Sequence, residues 1–478
     1  MLATLGITAL VGVAVSSSSA PTLDQAAAAS RPNIIVVETD DQTVGMMKVM
    51  KNVNSMIGDQ GATFANSLLN FSLCCPSRTT FLTGQYVHNH GVWSNHQPNG
   101  GFQKFEPLHG TNNLAVWLHR AGYFTGMIGK YLNNYDNQPP IPPGWSEWHA
   151  GAPYEQRVYN YLLNNNGTVV HKGADPSDFK DDVFTRFALD FVNRRATQPN
   201  PFFLWLTYTA PHVGGPPTRN PPQDCTDAAK PPPRYADAFA NAPLPRPPNF
   251  NEADVSDKPK AIRQLPLLSS TQIATIRRKY RCALESLLAV DEGVKKIINA
   301  LKAKGALDNT LIIYTSDNGY FYGEHRIPDD KQRVYEESIR VPLLMRGPGI
   351  PQGVTINPLV VNADLAPTIV DAANARPGLT MDGTSLLPIV RHPLTDKNRD
   401  LLVEEPTYKA IRTQRYVYVE YNDGERELYD LQNDPYELQN LQNDPTYNSV
   451  KATLATRLHK LKNCAGASCR VYQPDPTP

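Results

Sequence analysis

The sequence predicts an α/β protein: a large mixed, mostly parallel sheet sandwiched by helices, followed by a small C-terminal α+β part with an antiparallel sheet. Three observations carry this. Residues 33–37 (NIIVV), 202–206 (FFLWL) and 311–314 (LIIY) are short continuous apolar runs, as expected of strands covered on both faces. Between the last two, Leu287, Val290, Val294, Ile297 and Leu301 recur at helical spacing, and Gly305 is placed to end that helix. Helices alternating with buried strands imply a parallel sheet with helices on both sides. After His392 the texture changes. Residues 410–421 (AIRTQRYVYVEY) are β-prone, NDG supplies a turn and ELYDL resumes, which is a hairpin pattern. A closing helix is expected over 449–462.

The chain has 478 residues, with 46 Lys+Arg against 46 Asp+Glu. This balance argues against a dedicated nucleic-acid or membrane-surface binder. An anionic substrate must then be held by a local site. Hydrophobic residues make up 41%, enough for a sizeable core, and the length suits roughly two to three domains. The divisions read from texture are a targeting segment over 1–30, a catalytic domain over 31–391 and a C-terminal subdomain over 392–478. Residues 214–266 form a Pro-rich insertion, because Pro blocks helix interiors and sheet ladders. The N-terminal segment pairs an apolar run (2–15) with a small-residue zone (16–30), the pattern of a secretory signal, although no Lys or Arg precedes it. Export to the extracellular space or periplasm follows, and no run is long enough for a transmembrane span. Six cysteines fit an exported chain. Cys464 and Cys469 read as a short disulfide loop. Whether Cys225 and Cys282 pair is left open, and adjacent Cys74 and Cys75 need another explanation. Asn70 (NFS) and Asn166 (NGT) match the glycosylation acceptor pattern.

Two strand ends are rich in oxygen ligands. Asp40 and Asp41 follow the first apolar run, and Asp317 and Asn318 follow the third. Ligands of open α/β sheets bind outside the carboxyl ends of strands. Converging carboxylates need a cation, and oxygen donors favour Ca²⁺ or Mg²⁺ over zinc. Either pair alone also fits a turn or a helix cap. In residues 71–84 (FSLCCPSRTTFLTG), Pro76 suits the start of a helix, which puts Cys74 at its N-terminus with Arg78 nearby. A cysteine phosphatase loop requires a longer Cys-to-Arg spacing. A redox role for vicinal Cys74 and Cys75 is poor, since neither lies in a C-x-x-C motif. Spacing alone would leave Lys130 and Lys331 as surface residues and His212 as a loop histidine.

Cys74-Cys75-Pro76-Ser77-Arg78, then Leu82-Thr83-Gly84, resembles the C-x-P-S-R-x-x-x-L-T-G signature of type I sulfatases. The flanks follow in family order: DDQ at Asp40, the Gly-Lys pair at Gly129 and Lys130, TAPH at His212, SDNG at Asp317, DDK at Lys331, and RELYDLQNDPYELQNL near the end. QYVHNH and GKYLNNY are most similar to glucosamine-6-sulfatases and extracellular heparan sulfatases. The resemblance implies an alkaline-phosphatase-like fold and a formylglycine (3-oxoalanine) made from Cys74 by a formylglycine-generating maturation enzyme. It implies metal ligation by Asp40, Asp41, residue 74, Asp317 and Asn318, with Ca²⁺ expected and Mg²⁺ the alternative. The hydrated aldehyde attacks the sulfate sulfur with one hydroxyl and expels sulfate with the other. Arg78 would hold the diol and the metal carboxylates. Lys130 and Lys331 would neutralise the sulfate, and His212 would protonate the leaving oxygen. Many arylsulfatases carry a histidine where this chain has Leu132. His88 or His90 are candidates for that space, and His325 is a second-tier substrate contact. The implied activity is hydrolysis of sulfate monoesters of sugars or aryl alcohols. A phosphate or phosphonate ester hydrolase of the same fold and a non-catalytic binder of sulfated glycans are the rival readings.

Overall fold

The computed structural model describes residues 31–135, 140–151, 157–215, 225–392 and 399–478. The targeting segment (1–30) and residues 216–224 of the Pro-rich insertion lie outside the described residues.

The three apolar runs lie side by side. Ten strands form the main sheet: β1 (Asn33–Asp40), β2 (Ala62–Phe64), β3 (Phe124–Gly129), β4 (Glu147–Gly151), β5 (Tyr161–Asn165), β6 (Thr168–Lys172), β7 (Phe202–Pro211), β8 (Thr310–Ser316), β9 (Leu343–Arg346) and β10 (Val354–Ile356). Their order is β10-β2-β9-β8-β1-β7-β3-β4-β5-β6. β1 is parallel to both of its neighbours, β7 and β8. β3 and β4 continue the parallel set, while β9, β5 and β6 add antiparallel pairs. β1, β7 and β8 are buried along their whole length, as the continuous apolar runs require.

Alternation along β1 decides what each face holds. Ile34 and Val36 join a core with Phe81, Met127 and Trp205. Ile35 and Val37 join the opposite core with Phe184, Leu287 and Val290. Glu38 and Asp40 therefore share the Ile34 face, which is the face covered by α1 (Cys74–Thr83). A register slip of one residue would carry both carboxylates to the face away from α1. The opposite face is covered by α2 (Lys180–Arg195) and α3 (Ser270–Ala303). α3 contains the five periodic apolar residues. It starts with a Ser269–Gln272 capping box and ends where Ala306 N–H donates to Leu301 O across Gly305, which has φ 65°.

The C-terminal strands β11 (Leu401–Glu405), β12 (Tyr408–Arg412), β13 (Tyr416–Tyr421) and β14 (Arg426–Asp430) form an antiparallel sheet. α4 (Asn448–Leu461) packs into the core beneath it. The β-prone stretch 410–421 is thus two strands, because Thr413 turns the chain by accepting Tyr416 N–H on its side chain at 3.0 Å. Residues 31–478 pack as one compact unit. The described part of the Pro-rich insertion is mostly turns and extended chain, with a 3-10 turn at Pro233–Tyr235 and a short α-helix at Lys260–Arg263. Cys225 pairs with Cys282 on α3, pinning the insertion to it, and Cys464 pairs with Cys469. Cys74 and Cys75 form no disulfide and are both buried.

The glycosylation reading of Asn70 is corrected. Its side chain is fully buried, donating to Leu402 O at 2.9 Å and accepting Val87 N–H at 2.8 Å. Asn166 is exposed, in the turn between β5 and β6. Among the described residues, no helix is long and apolar enough to cross a membrane.

Candidate active site

The carboxyl ends of β1 and β8 lie together because the strands pair in register up to Thr39 and Ser316. Asp317 N–H donates to Thr39 O at 3.0 Å, and Asp41 N–H donates to Asp317 Oδ1 at 3.3 Å. Gln42 locks this turn by donating its N–H to Ser316 Oγ and accepting from Tyr314 OH at 2.6 Å. Asp40, Asp41, Asp317 and Asn318 are thereby gathered, all buried.

α1 approaches from the Ile34 face. Cys74 is its first residue, so the helix starts two residues earlier than the expected Pro76, and Cys74 and Arg78 share one helix face. Arg78 is fully buried. Its Nε donates to Asp317 Oδ2 at 2.9 Å, a terminal nitrogen lies 3.2 Å from Glu38 Oε1, and the other donates to Lys130 O at 2.7 Å. Arg78 thus ties together β1, β8 and the end of β3. Glu38 was missed by sequence reasoning. The signal was there: a carboxylate inside a strand buried on both faces needs a cationic partner. Burial pushes Glu38 up to about 7 against the pull of Arg78.

Two ammonium groups meet the same centre. Lys130 Nζ lies 2.5 Å from Asp40 Oδ2. Its place depends on Gly129, at φ 121°, where a Cβ would fall 1.8 Å from Thr207 O. Lys331 Nζ lies 2.5 Å from Asp41 Oδ1, 3.0 Å from Cys74 Sγ and 3.5 Å from Asn318 Oδ1. His212 Nε2 is 3.8 Å from Asp41 Oδ2, and its Nδ1–H donates to Val213 O. Burial would raise Asp40, but Lys130, His212 and Lys331 outweigh it and hold this carboxyl well below the usual range. Burial pushes the Cys74 thiol up to about 12 despite Lys130 and Lys331. An unmodified thiol here is protonated at neutral pH and a poor nucleophile.

The arrangement fits a divalent cation. Ligand atoms of Asp40, Asp41, Cys74 and His212 all lie within 4.8 Å of one another. Lys331 places positive charge against three of the expected donors, so these groups already converge on a point that attracts a cation. The carboxylates and the amide oxygen suit a hard ion. Asn318 Nδ2 donates to Asp41 Oδ1, so ligation through its oxygen requires the amide to turn over.

The structure therefore brings together Asp40, Asp41, Cys74, Arg78, Lys130, His212, Asp317, Asn318 and Lys331. It engages the second-tier histidines elsewhere. His88 uses both ring nitrogens, on Glu404 and on Cys464 O, each at 2.8 Å. His90 is buried, contacting Thr80 Oγ1 at 3.1 Å and accepting Val92 N–H. His325 is buried between Glu252 and Asn249. Leu132 is part of the core around Trp148 and Trp205.

Residues 32–375 match the Sulfatase family, and residues 323–464 match the family described as N-sulphoglucosamine sulphohydrolase, C-terminal. The chain belongs to the sulfatase family and is a sulfuric ester hydrolase acting on a sulfate-ester substrate. Membership implies a divalent metal and a formylglycine. It is 35% identical over 500 residues to human N-acetylglucosamine-6-sulfatase, covering 93% of this chain and 87% of that one. It is 38% identical over 368 residues to a putative extracellular sulfatase Sulf-1 homolog of Caenorhabditis elegans, covering 76% of this chain. The chain spans about half of that relative, 49%. A solved sulfatase structure described as a complex with its substrate, D-glucosamine-2-N,6-O-disulfate, aligns with TM-score 0.75 at 27% identity, covering 90% of this chain and 97% of that one. The phosphonate monoester hydrolase of Agrobacterium radiobacter shares the fold, with TM-score 0.69 at 21% identity over 90% of this chain and 95% of that one.

Proposed function

We propose that this enzyme is exported and removes sulfate from sulfated sugars of the glucosamine-6-sulfate type, using a formylglycine at position 74 and a Ca²⁺ ion. The observation that carries the mechanism is the position of residue 74. It starts a helix, where free N–H groups favour negative charge, and it lies between Lys331 and Asp40. Oxidised to formylglycine, it supplies a hydrated aldehyde with one hydroxyl for attack and a second for expelling sulfate. Asp40, Asp41, Asp317 and Asn318 would hold the ion, which polarises the sulfate oxygens when bound.

The remaining steps belong to the chain's own side chains. Lys130 and Lys331 offset charge on the sulfate, and they are preorganised by their carboxylate partners. Arg78 fixes Asp317 and the backbone at Lys130, so these two are held in place before substrate arrives. His212 faces the Asp41 side and is the donor proposed for the leaving oxygen. Cys74 is only 1% exposed, so a maturation enzyme must reach it before the chain closes around it. The division into a catalytic domain over 31–391 and a C-terminal subdomain over 392–478 belongs to the same proposal.

The sugar preference is supported by the names of the relatives and by the ligand described for the 27%-identical structure. The test is a substrate panel on matured enzyme: glucosamine-6-sulfate, an aryl sulfate, and the matching aryl phosphate and phosphonate. The expected result is highest kcat/KM on the sugar sulfate and little phosphonate turnover. A preference for the phosphonate would overturn it.

A further inference from the structure

A second group of ligating side chains sits in the segment that carries Lys331. His325, Glu337 and Glu437 bring one ligand atom each within 4.8 Å of the others. None of them has a part in the sulfate chemistry derived above. His325 and Glu437 are buried, and Glu337 is half-buried.

Charge is out of balance there. The carboxylates of Glu252, Glu324, Glu336, Glu337, Glu427 and Glu437 crowd together, and the cations that meet them are Lys258, Arg340 and Arg412. The excess must be met by protons or by a cation.

The cluster also holds buried polar atoms without partners. Glu437 Oε1 and Glu337 Oε2 are buried with no hydrogen-bond partner. So is Oδ1 of Asn249, a side chain with 0% exposure. The Asn249 amide lies within the cluster, its Nδ2 donating to Glu337 Oε1 at 2.8 Å and to His325 Nε2 at 3.1 Å. The histidine is set up in the manner of a ligand. Its Nδ1–H donates to Glu252 Oε2 at 2.6 Å, and its ring stacks on Tyr335 with centroids 4.2 Å apart. A carboxylate on one ring nitrogen is the usual outer arrangement of a metal-bound imidazole, and the other nitrogen, Nε2, accepts from the Asn249 amide.

We propose that His325, Glu337 and Glu437 form a second divalent-cation site, separate from the active centre, of the imidazole-plus-carboxylate kind that takes Zn²⁺ or Mn²⁺. Binding requires the Asn249 amide to move off His325 Nε2, which frees that lone pair. A cavity of about 200 Å³ lined by Tyr320, Tyr322, Glu324, Glu336 and Glu337 gives an entry path. A bound ion would tie the Gly323–Ile327 turn to the helix Glu336–Ile339 and to the C-terminal segment at Glu437. Lys331 lies between the first two, so the ion would brace the loop that delivers it.

The test uses the full chain carrying Asp41→Asn and Asp317→Asn, which weaken cation binding at the active centre by removing two carboxylate charges. Zn²⁺ and Mn²⁺ are titrated separately, with bound metal read by elemental analysis and native mass. One retained equivalent is expected, with zinc X-ray absorption reporting an imidazole nitrogen beside oxygens. His325→Gln in the same background should weaken it by about 10-fold or more. Glu337→Gln, which alters a half-buried group, repeats the check if His325→Gln does not fold. No retained equivalent, or binding unchanged in a folded His325→Gln or Glu337→Gln chain, overturns the proposal. Carboxyls held by protons alone would give the first of those outcomes.

Discussion

Arg78 shows how much one side chain organises. It is fully buried and meets Asp317, Glu38 and the Lys130 carbonyl at once. Removing one partner from a buried ion cluster costs about 3–5 kcal/mol, because the charges left behind lose compensation. Arg78→Ala should therefore lower the melting temperature sharply as well as abolish turnover. Arg78→Lys is the more discriminating variant. It keeps the charge, but one ammonium cannot reproduce the planar fork that spans three acceptors. It should fold and lose about 10²–10³-fold in kcat, as expected when a preorganised group is displaced. Wild-type kcat in a folded Arg78→Lys enzyme would show that the fork geometry does not matter. The paired role of Glu38 was readable only in outline from the sequence. A charged residue in an apolar strand says that it has a partner, but not that the partner is 40 positions away on a helix. Cys74, Arg78 and the strand-end carboxylates were legible because their spacing is local. Asp40 and Asp41 are adjacent, and Cys74 and Arg78 are one helical turn apart.

At the scale of elements, polar residues near the signature act as stitches to the C-terminal sheet. Asn70 bonds Leu402 in β11, and His88 bonds Glu404 in the same strand and the Cys464 carbonyl. The sequence suggested a glycan site and a substrate contact for these two, because both partners lie more than 300 residues further along the chain. Long-range partners of this kind leave no local pattern. The His88 contact makes a pH-dependent contribution to stability. Burial lowers its pKa, but the hydrogen bond and charge of Glu404, with the Cys464 carbonyl, outweigh that and raise it above the ordinary 6.5. A histidine raised on folding stabilises fully below its unfolded pKa, and that stabilisation is lost as pH rises through the folded pKa. His88→Gln should therefore lower the melting temperature more at about pH 5.5 than at about pH 8.5. Equal losses at both would mean the imidazolium–carboxylate contact contributes nothing.

At the scale of the whole molecule, the architecture follows from three buried strands and the helices that cover them. The apolar runs predicted β1, β7 and β8, and the helical period predicted α3. The antiparallel pairs β4–β5 and β5–β6 gave no comparable signal, because β6 is largely exposed and mixed in composition. The pairing of Cys225 with Cys282 was open in the sequence and is formed in the structure. It closes a loop of 57 residues that contains most of the Pro-rich insertion. Loop-closure entropy for that length is about 4 kcal/mol as an upper value. The double variant Cys225→Ala, Cys282→Ala should lose up to that amount in denaturant unfolding while keeping the metal centre. Unchanged stability would mean that the insertion is held by its packing on α3 alone.

The proposed mechanism needs residue 74 to act as an aldehyde rather than a thiol. The thiol is pushed up to about 12 by burial, so it offers almost no thiolate at neutral pH. The most direct measurement is the mass of the peptide containing position 74, from active enzyme made in its natural host. The expected mass is that of formylglycine, with the CH₂SH group replaced by an aldehyde and no thiol left to alkylate. An intact, alkylatable Cys74 in fully active enzyme would contradict it.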